Sequence, residues 1–270
     1  MGRRSREEAL LYRSTRRFRL ERQAVSSCRG IAIPSTAFSC LAIETSTSVP
    51  SLALKCGDRL AVRAEPGLAA PSRVVFEWLR DLLEEARCTI GELDCIAFGA
   101  GPGSFTGTRI AVAMAQGLGY SSGRPLCRIS SLAALAAGVM RETSTDAVAC
   151  CLDARLGEVY LGLYHRDGNG AIRVVMPDAL LAPSDVHLPA HSGWYAAGTG
   201  WNAHPEMRQR LEGQILGSAP ESVPSAVDVL ELARDQFERG DVISPADAAP
   251  NYLRTRVASL PRSAASGARP

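Results

Sequence analysis

The stretch Ile96–Ile110, IAFGAGPGSFTGTRI, limits what this chain can fold into more than any other. An apolar run of strand character empties into a glycine-rich turn. The chain then re-forms as a helix with no charge between Ile110 and Gly123. Such a turn commonly binds phosphate, because backbone N–H groups converge at the positive end of a helix. Two familiar versions are excluded by the residues. A P-loop needs a lysine after its second glycine, and Lys55 is the only lysine in the chain. The dinucleotide pattern GxGxxG fails as well, ending on Ser104 if counted from Gly99 and on Thr106 if counted from Gly101. What remains is a set of donors entering a helix, with Ser104 and Thr106 as hydroxyl donors and caps. Glu44, followed by TSTS at the end of an earlier strand, could present a carboxylate to a metal-bound phosphate. The candidate anion or turn loop is therefore Glu44, Gly101, Gly103, Ser104, Thr106 and Gly107. A tight connection with no ligand fits the same pattern.

In the helix after the turn, Gly107, Ala111, Ala115 and Gly119 recur every fourth residue. This row has almost no side-chain bulk, so another helix could approach it closely. Ile110, Met114 and Leu118 form the neighbouring row and are expected to face the sheet. The bare row packs either on the chain's own first helix or, together with that helix, against another subunit.

Three strand runs precede the turn, at Cys40–Thr45, Ser51–Cys56 and Leu60–Ala64. A helix follows them with Val74, Val75, Trp78, Leu79, Leu82 and Leu83 on one face. PLCRIS supplies a strand after the turn, and SLAALAAGVM a helix capped by Ser130 or Ser131. A second unit starts near Thr145 with AVACCLDARLGEVYLGLYHRD, a hairpin turning at Arg155–Gly157. AIRVVMPDALL and GWYAAGTG add strands, and a late helix in SAVDVLELARDQFERG ends at Gly240. A meander followed by alternating helix and strand implies an α/β chain with a mixed sheet and helices over it. The second unit is expected to be β-rich and too short to repeat the first in full.

Composition narrows the function. With 46% hydrophobic residues in 270, the chain can bury one large core or two lobes. The segment 1–38 is rich in arginine and poor in apolar residues, and is expected to be a disordered extension. It has no continuous apolar stretch of secretory type. An organelle-targeting peptide or a nucleic-acid contact stands beside a role-free extension as its reading. No apolar run reaches the length of a membrane span. The eight cysteines form no CxxC pair and read as reduced and mostly buried, with Cys150 and Cys151 on opposite faces of one strand. His187 and His191 have metal-like spacing, but Pro189 lies between them and no helix would align them. No GxSxG elbow is present and no histidine lies near a Cys or Ser run. Asp153, Arg155 and Glu158 cluster at the second-unit hairpin, where charge pairing accounts for them.

LAIETSTSVPSLAL, IAFGAGPGSFTGTRIAVAMAQGLG, PLCRISSLAALA, DARLGEVYLGLY and PADAAPNYLRTRVA resemble, in order and spacing, the signatures of the bacterial TsaB (YeaZ) family. The likeness runs from about Cys40 to Ala258. It implies an α/β, actin/hexokinase-like (ASKHA) two-lobed fold with mixed sheets and a reduced second lobe. The expected boundaries are 39–143 for the first lobe, 144–258 for the smaller second lobe and 259–270 for a disordered tail. It also implies a non-catalytic scaffold or dimerisation subunit of the complex that makes N6-threonylcarbamoyladenosine beside the tRNA anticodon. The implied partners are a TsaD-like transferase and a TsaE-like ATPase, with tRNA met only through the complex. The resemblance further implies a homodimer when the chain is alone, in the cytoplasm and off the membrane. No cofactor, metal or catalytic residue is implied. TsaD-type proteins carry a paired-histidine metal motif on a first-lobe helix, and this chain has no histidine before His165.

The family's interface uses the two first-lobe helices. Here that points to Val74, Trp78, Leu82, Thr108, Ala111, Val112, Ala115 and Gly119. Departures from the family pattern are Glu44 for the usual Asp, Pro71–Arg73 for a His-Ser-Glu run, Thr108 for leucine and Gln116 for lysine. The alternative is a small nucleotide-dependent phosphotransferase or acyltransferase of the same superfamily, using Glu44, Ser104 and Thr106.

Overall fold

The computed structural model describes residues 38–67, 71–190 and 193–254. Most of the expected extension at 1–38 and the whole tail at 259–270 lie outside the described residues. The first sheet is built from β1 (Cys40–Glu44), β2 (Ser51–Cys56), β3 (Arg59–Ala64), β4 (Cys95–Gly99) and β5 (Leu126–Ile129). Its order is β3-β2-β1-β4-β5, with antiparallel pairing through β1 and parallel pairing beyond it. The helices α1 (Pro71–Ala86), α2 (Phe105–Ser122) and α3 (Ser131–Thr143) follow β3, β4 and β5 respectively.

The second sheet contains β6 (Ala147–Arg155), β7 (Glu158–Arg166), β8 (Ile172–Leu181), β9 (Trp194–Ala197) and β10 (Ile215–Ala219). Its order, β10-β9-β6-β7-β8, repeats the first with the same sense at every pairing. The second unit is β-rich and repeats the first only in part, as expected. The sheet is complete, and the reduction falls on the helices. A three-residue turn at Pro183–Asp185 replaces the 16-residue α1, and the short α4 (Gly200–Ala203) and α5 (Pro205–Leu211) stand in for α2. The last strand, β10, escapes sequence reading because only Ile215 and Leu216 are bulky apolar residues and Gly217 interrupts the alternation.

Strand alternation explains the layering. Leu41, Ile43, Leu52, Leu54, Ile96 and Phe98 point to the side covered by α1 and α2. Cys40, Ala42, Ala53, Cys95, Ala97 and Cys127 point to the other side, where their small size admits α6 (Ala226–Glu238). In the second sheet Cys151 faces Trp201, Met207 and Leu211, while Cys150 faces α3, so the two neighbours do point apart. Helices α3 and α6 thus lie between the sheets, each packed on the sheet it does not follow. Residues after 240 return to the first lobe too, with Ile243 bridging Leu126 and Asn251 N donating to Ala100 O at 2.7 Å. The range 144–258 therefore contributes to both lobes.

Thiol labelling followed by mass spectrometry should rank the cysteines by this layering. Cys56 should react first among the described cysteines, because Cys40, Cys88, Cys95, Cys127, Cys150 and Cys151 are buried. Burial also raises the Cys150 and Cys151 thiols above their ordinary range, so both should label only on unfolding.

Candidate functional site

The glycine turn is occupied by the chain itself. A Cβ on Gly99 would overlap the Glu44 carboxylate, and one on Gly107 would overlap the Thr45 carbonyl oxygen. One on Gly103 would stand 2.5 Å from the Ser46 carbonyl. Bare backbone at these positions therefore admits the β1–β2 loop. Hydrogen bonds fix it there: Ser104 N donates to Ser46 O at 2.6 Å, and Thr45 Oγ1 donates to Gly107 O at 2.6 Å. Gly101, at φ 86°, donates its N–H to Ser131 Oγ at 3.2 Å and accepts from Ser131 N at 3.0 Å. Ser104 caps α2 by accepting from Gly107 N, as expected, whereas Thr106 stands exposed at the first turn. The donors at Gly101, Ser104 and Gly107 are thus bound to protein rather than open to an anion.

Glu44 departs furthest from expectation. It is buried within the first lobe, where Oε1 accepts from Ser46 N at 2.6 Å and Oε2 from Ser131 Oγ at 2.7 Å. Burial raises its carboxyl above the ordinary value, against the lowering effect of the Ser46 and Ser131 bonds. It organises the turn and cannot present a carboxylate to a metal-bound phosphate. The adjacent Ser130 does the parallel job for the second lobe. Its side chain caps α3 by accepting from Leu132 N and Ala133 N, and donates to Asp178 Oδ2 at 2.6 Å. Tyr164 donates to the other Asp178 oxygen.

The bare ridge of α2 faces inward. Ala111 and Ala115 have no exposed surface, and Gly107, Thr108, Val112 and Gly119 are buried as well. A Cβ on Gly119 would come within 2.9 Å of Leu126 and Pro245. On α1, Trp78 and Leu82 pack onto the first sheet and Val74 packs beside them. The expectation that these residues are open to a foreign helix is corrected. The ridge fits a close approach, and what approaches is the chain's own sheet, the Thr45 carbonyl and the segment at Pro245. Of the row expected on the sheet, Met114 is buried, while Ile110 and Leu118 are half-buried.

The outward side carries residues that sequence reading passed over. Phe76 on α1 is 59% exposed and Tyr120 on α2 is 62% exposed. Ala113 and Gly117 lie exposed on α2, and a Cβ on Gly117 would meet nothing within 4 Å. Phe76 was detectable, since it falls off the apolar stripe that Val75, Trp78, Leu79 and Leu82 define.

Between the lobes runs a cleft of about 1070 Å³, bounded by the β1–β2 loop, the glycine turn, the β6–β7 hairpin tip and residues 250–254. At the hairpin, Arg155 pairs with Asp153 at 3.1 Å, while Glu158 pairs with Arg254 from the C-terminal segment rather than across the hairpin. Among the described residues no group of three His, Cys, Asp or Glu side chains could hold a metal; His191 is not among them.

The family model described as TsaD: tRNA N6-adenosine threonylcarbamoyltransferase matches residues 58–206. Over 221 residues the chain is 34% identical to the tRNA threonylcarbamoyladenosine biosynthesis protein TsaB of Escherichia coli (strain K12), covering 81% of this chain and 95% of that protein. The chain belongs to the TsaB family. The Bacillus subtilis (strain 168) TsaB is likewise 34% identical, over 220 residues that cover 79% of this chain and 93% of its own. The solved structure of YeaZ from Pseudomonas aeruginosa superposes with a TM-score of 0.75 at 37% identity, covering 80% of this chain and 100% of that one. The TsaB fold here is two-lobed, with a five-stranded mixed sheet of the same order in each lobe.

Two substitutions test the inward geometry. Ala111→Glu should destabilise the fold by about 3 kcal/mol or more, since it adds bulk and charge where no space exists. Its melting temperature should fall well below that of the native chain. Glu44→Gln keeps one acceptor for Ser46 N and lets its amide donate to Ser131 Oγ. Because the native carboxyl holds its proton more tightly than the unfolded one, its contribution favours folding at low pH and is lost as pH rises above the ordinary 4.5. Chemical denaturation across that range should show a flatter pH dependence in the Gln variant.

Proposed function

We propose that this chain is a non-catalytic scaffold and dimerisation subunit that binds and supports a TsaD-like transferase. Its pathway is N6-threonylcarbamoyladenosine modification of tRNA next to the anticodon, in the cytoplasm. A TsaE-like ATPase joins the same assembly, tRNA is met only through the complex, and the chain pairs with itself when the transferase is absent. The observation that carries this reading is the outward face of α1 and α2. There Phe76 is exposed on α1, and on α2 Tyr120 is exposed along the same helical face as the small residues Gly117 and Ala113. Each ring, once covered, would stabilise an interface by roughly 1.5–3 kcal/mol, and small neighbours let a foreign helix reach them. The inward turn of Glu44 and the capped glycine loop also leave the alternative transferase reading without the acid and donors it requires.

The deciding variants are Gly117→Arg and Phe76→Glu, both at exposed positions. Neither should lower the melting temperature, and Gly117→Arg should raise it, because arginine favours a helix over glycine by about 1 kcal/mol. Both should abolish co-purification with the TsaD-like partner and shift the free chain to a monomer in sedimentation. Full recovery of the partner with both variants would refute the assignment of this face.

A further inference from the structure

The interlobe cleft has a character that the scaffold role does not use. Three of the chain's exposed large apolar side chains line it: Phe105 at the start of α2, Leu156 at the β6–β7 tip and Tyr252 after α6. Leu156 is 81% exposed and is held out by backbone in the left-handed region, at φ 56° between Arg155 at 63° and Gly157 at 76°. Leu156 and Gly157 are the two-residue turn between paired Arg155 and Glu158, and positive φ at both is what so tight a hairpin demands, which fixes Leu156 at the tip.

Between the rings stands Arg109. Its guanidinium carbon lies 3.2 Å from the Phe105 ring centroid and 5.2 Å from that of Tyr252. Its Nη1 is buried without a hydrogen-bond partner among the described residues. A cation with an unpartnered nitrogen in this wall calls for a negatively charged acceptor.

Phosphate is a poor match for that acceptor. Ser104 N is spent on Ser46 O, Gly103 packs directly on Ser46, and Glu44 is turned inward away from any counter-ion. A carboxylate matches the planar guanidinium, and apolar neighbours on the same ligand would cover Phe105, Leu156 and Tyr252.

We propose that the cleft is a docking groove for an extended acidic and apolar segment of a partner protein. One Asp or Glu pairs with Arg109, and a large apolar side chain seats against Phe105, Leu156 and Tyr252. This groove is separate from the outward face of α1 and α2 and does not depend on that face being an interface.

A random peptide library displayed on phage, panned against the intact chain, tests the groove directly. Enriched peptides should carry Asp or Glu beside Leu, Phe or Trp. The leading synthetic peptide should bind Arg109→Gln and Leu156→Ser at least about tenfold more weakly than the native chain. It should bind Phe76→Glu unchanged, which separates this groove from the helix face. Leu156 is exposed enough that its replacement cannot disturb folding, so that variant decides the matter even if Arg109→Gln is destabilised. Three results overturn the proposal: no enriched peptide sensitive to Leu156→Ser, enrichment without an acidic residue, or displacement of the peptide by ATP with magnesium or by a uridine oligonucleotide. The last would reassign the groove to a nucleotide or to RNA.

Discussion

Two neighbouring serines at the start of α3 hold the halves of this molecule in register. Ser131 gives its hydroxyl proton to Glu44 of the first sheet, and Ser130 gives its own to Asp178 of the second. Glu44 is buried and Asp178 half-buried, and desolvation raises both carboxyls above their ordinary values. The cost of holding them there is offset by short hydrogen bonds and by the positive end of the helix whose first turn the serines form. Each bond also fixes a loop: Glu44 orders Ser46, and Ser131 orders Gly101. The glycine turn, the β1–β2 loop and the interlobe cleft all inherit their shape from this pair.

The same economy of space explains why a phosphate-type loop need not bind phosphate. A helix N-terminus attracts any acceptor, and here the acceptors come from the chain. The Ser46 carbonyl takes the Ser104 N–H, and the Ser104 side chain takes that of Gly107. What resembles a ligand cradle in the primary structure is a dovetail between two loops. Glycine serves it by letting backbone touch backbone.

Much of the fold was legible in the residues. Alternation located the meander strands, helical spacing found the buried face of α1, and the Ser130–Ser131 pair and Gly240 marked helix ends. Three features were not legible, each for a physical reason. Small residues along α2 announce a close approach without saying what approaches, so Ala111 and Ala115 looked open when they are sealed. An acidic residue after a strand gives no sign of its solvent exposure, so Glu44 looked reactive. The repeat of the sheet survives in strand order alone, because a β-sheet accepts many side-chain sets at one topology. Conversely, Phe76 and Tyr120 were visible in the sequence as large rings out of phase with the apolar stripe.

Because α3 and α6 each lie on the sheet that the other follows, the two lobes are interleaved rather than strung in series. A fragment stopped after α3 would leave Cys40, Ala42, Ala53, Cys95 and Ala97 facing water, with their natural cover still unmade. During synthesis, the first sheet must therefore wait for nearly the whole polypeptide before both of its faces are dry. Neither half is a free-standing module, because each receives from the other the helix that dries its inner face.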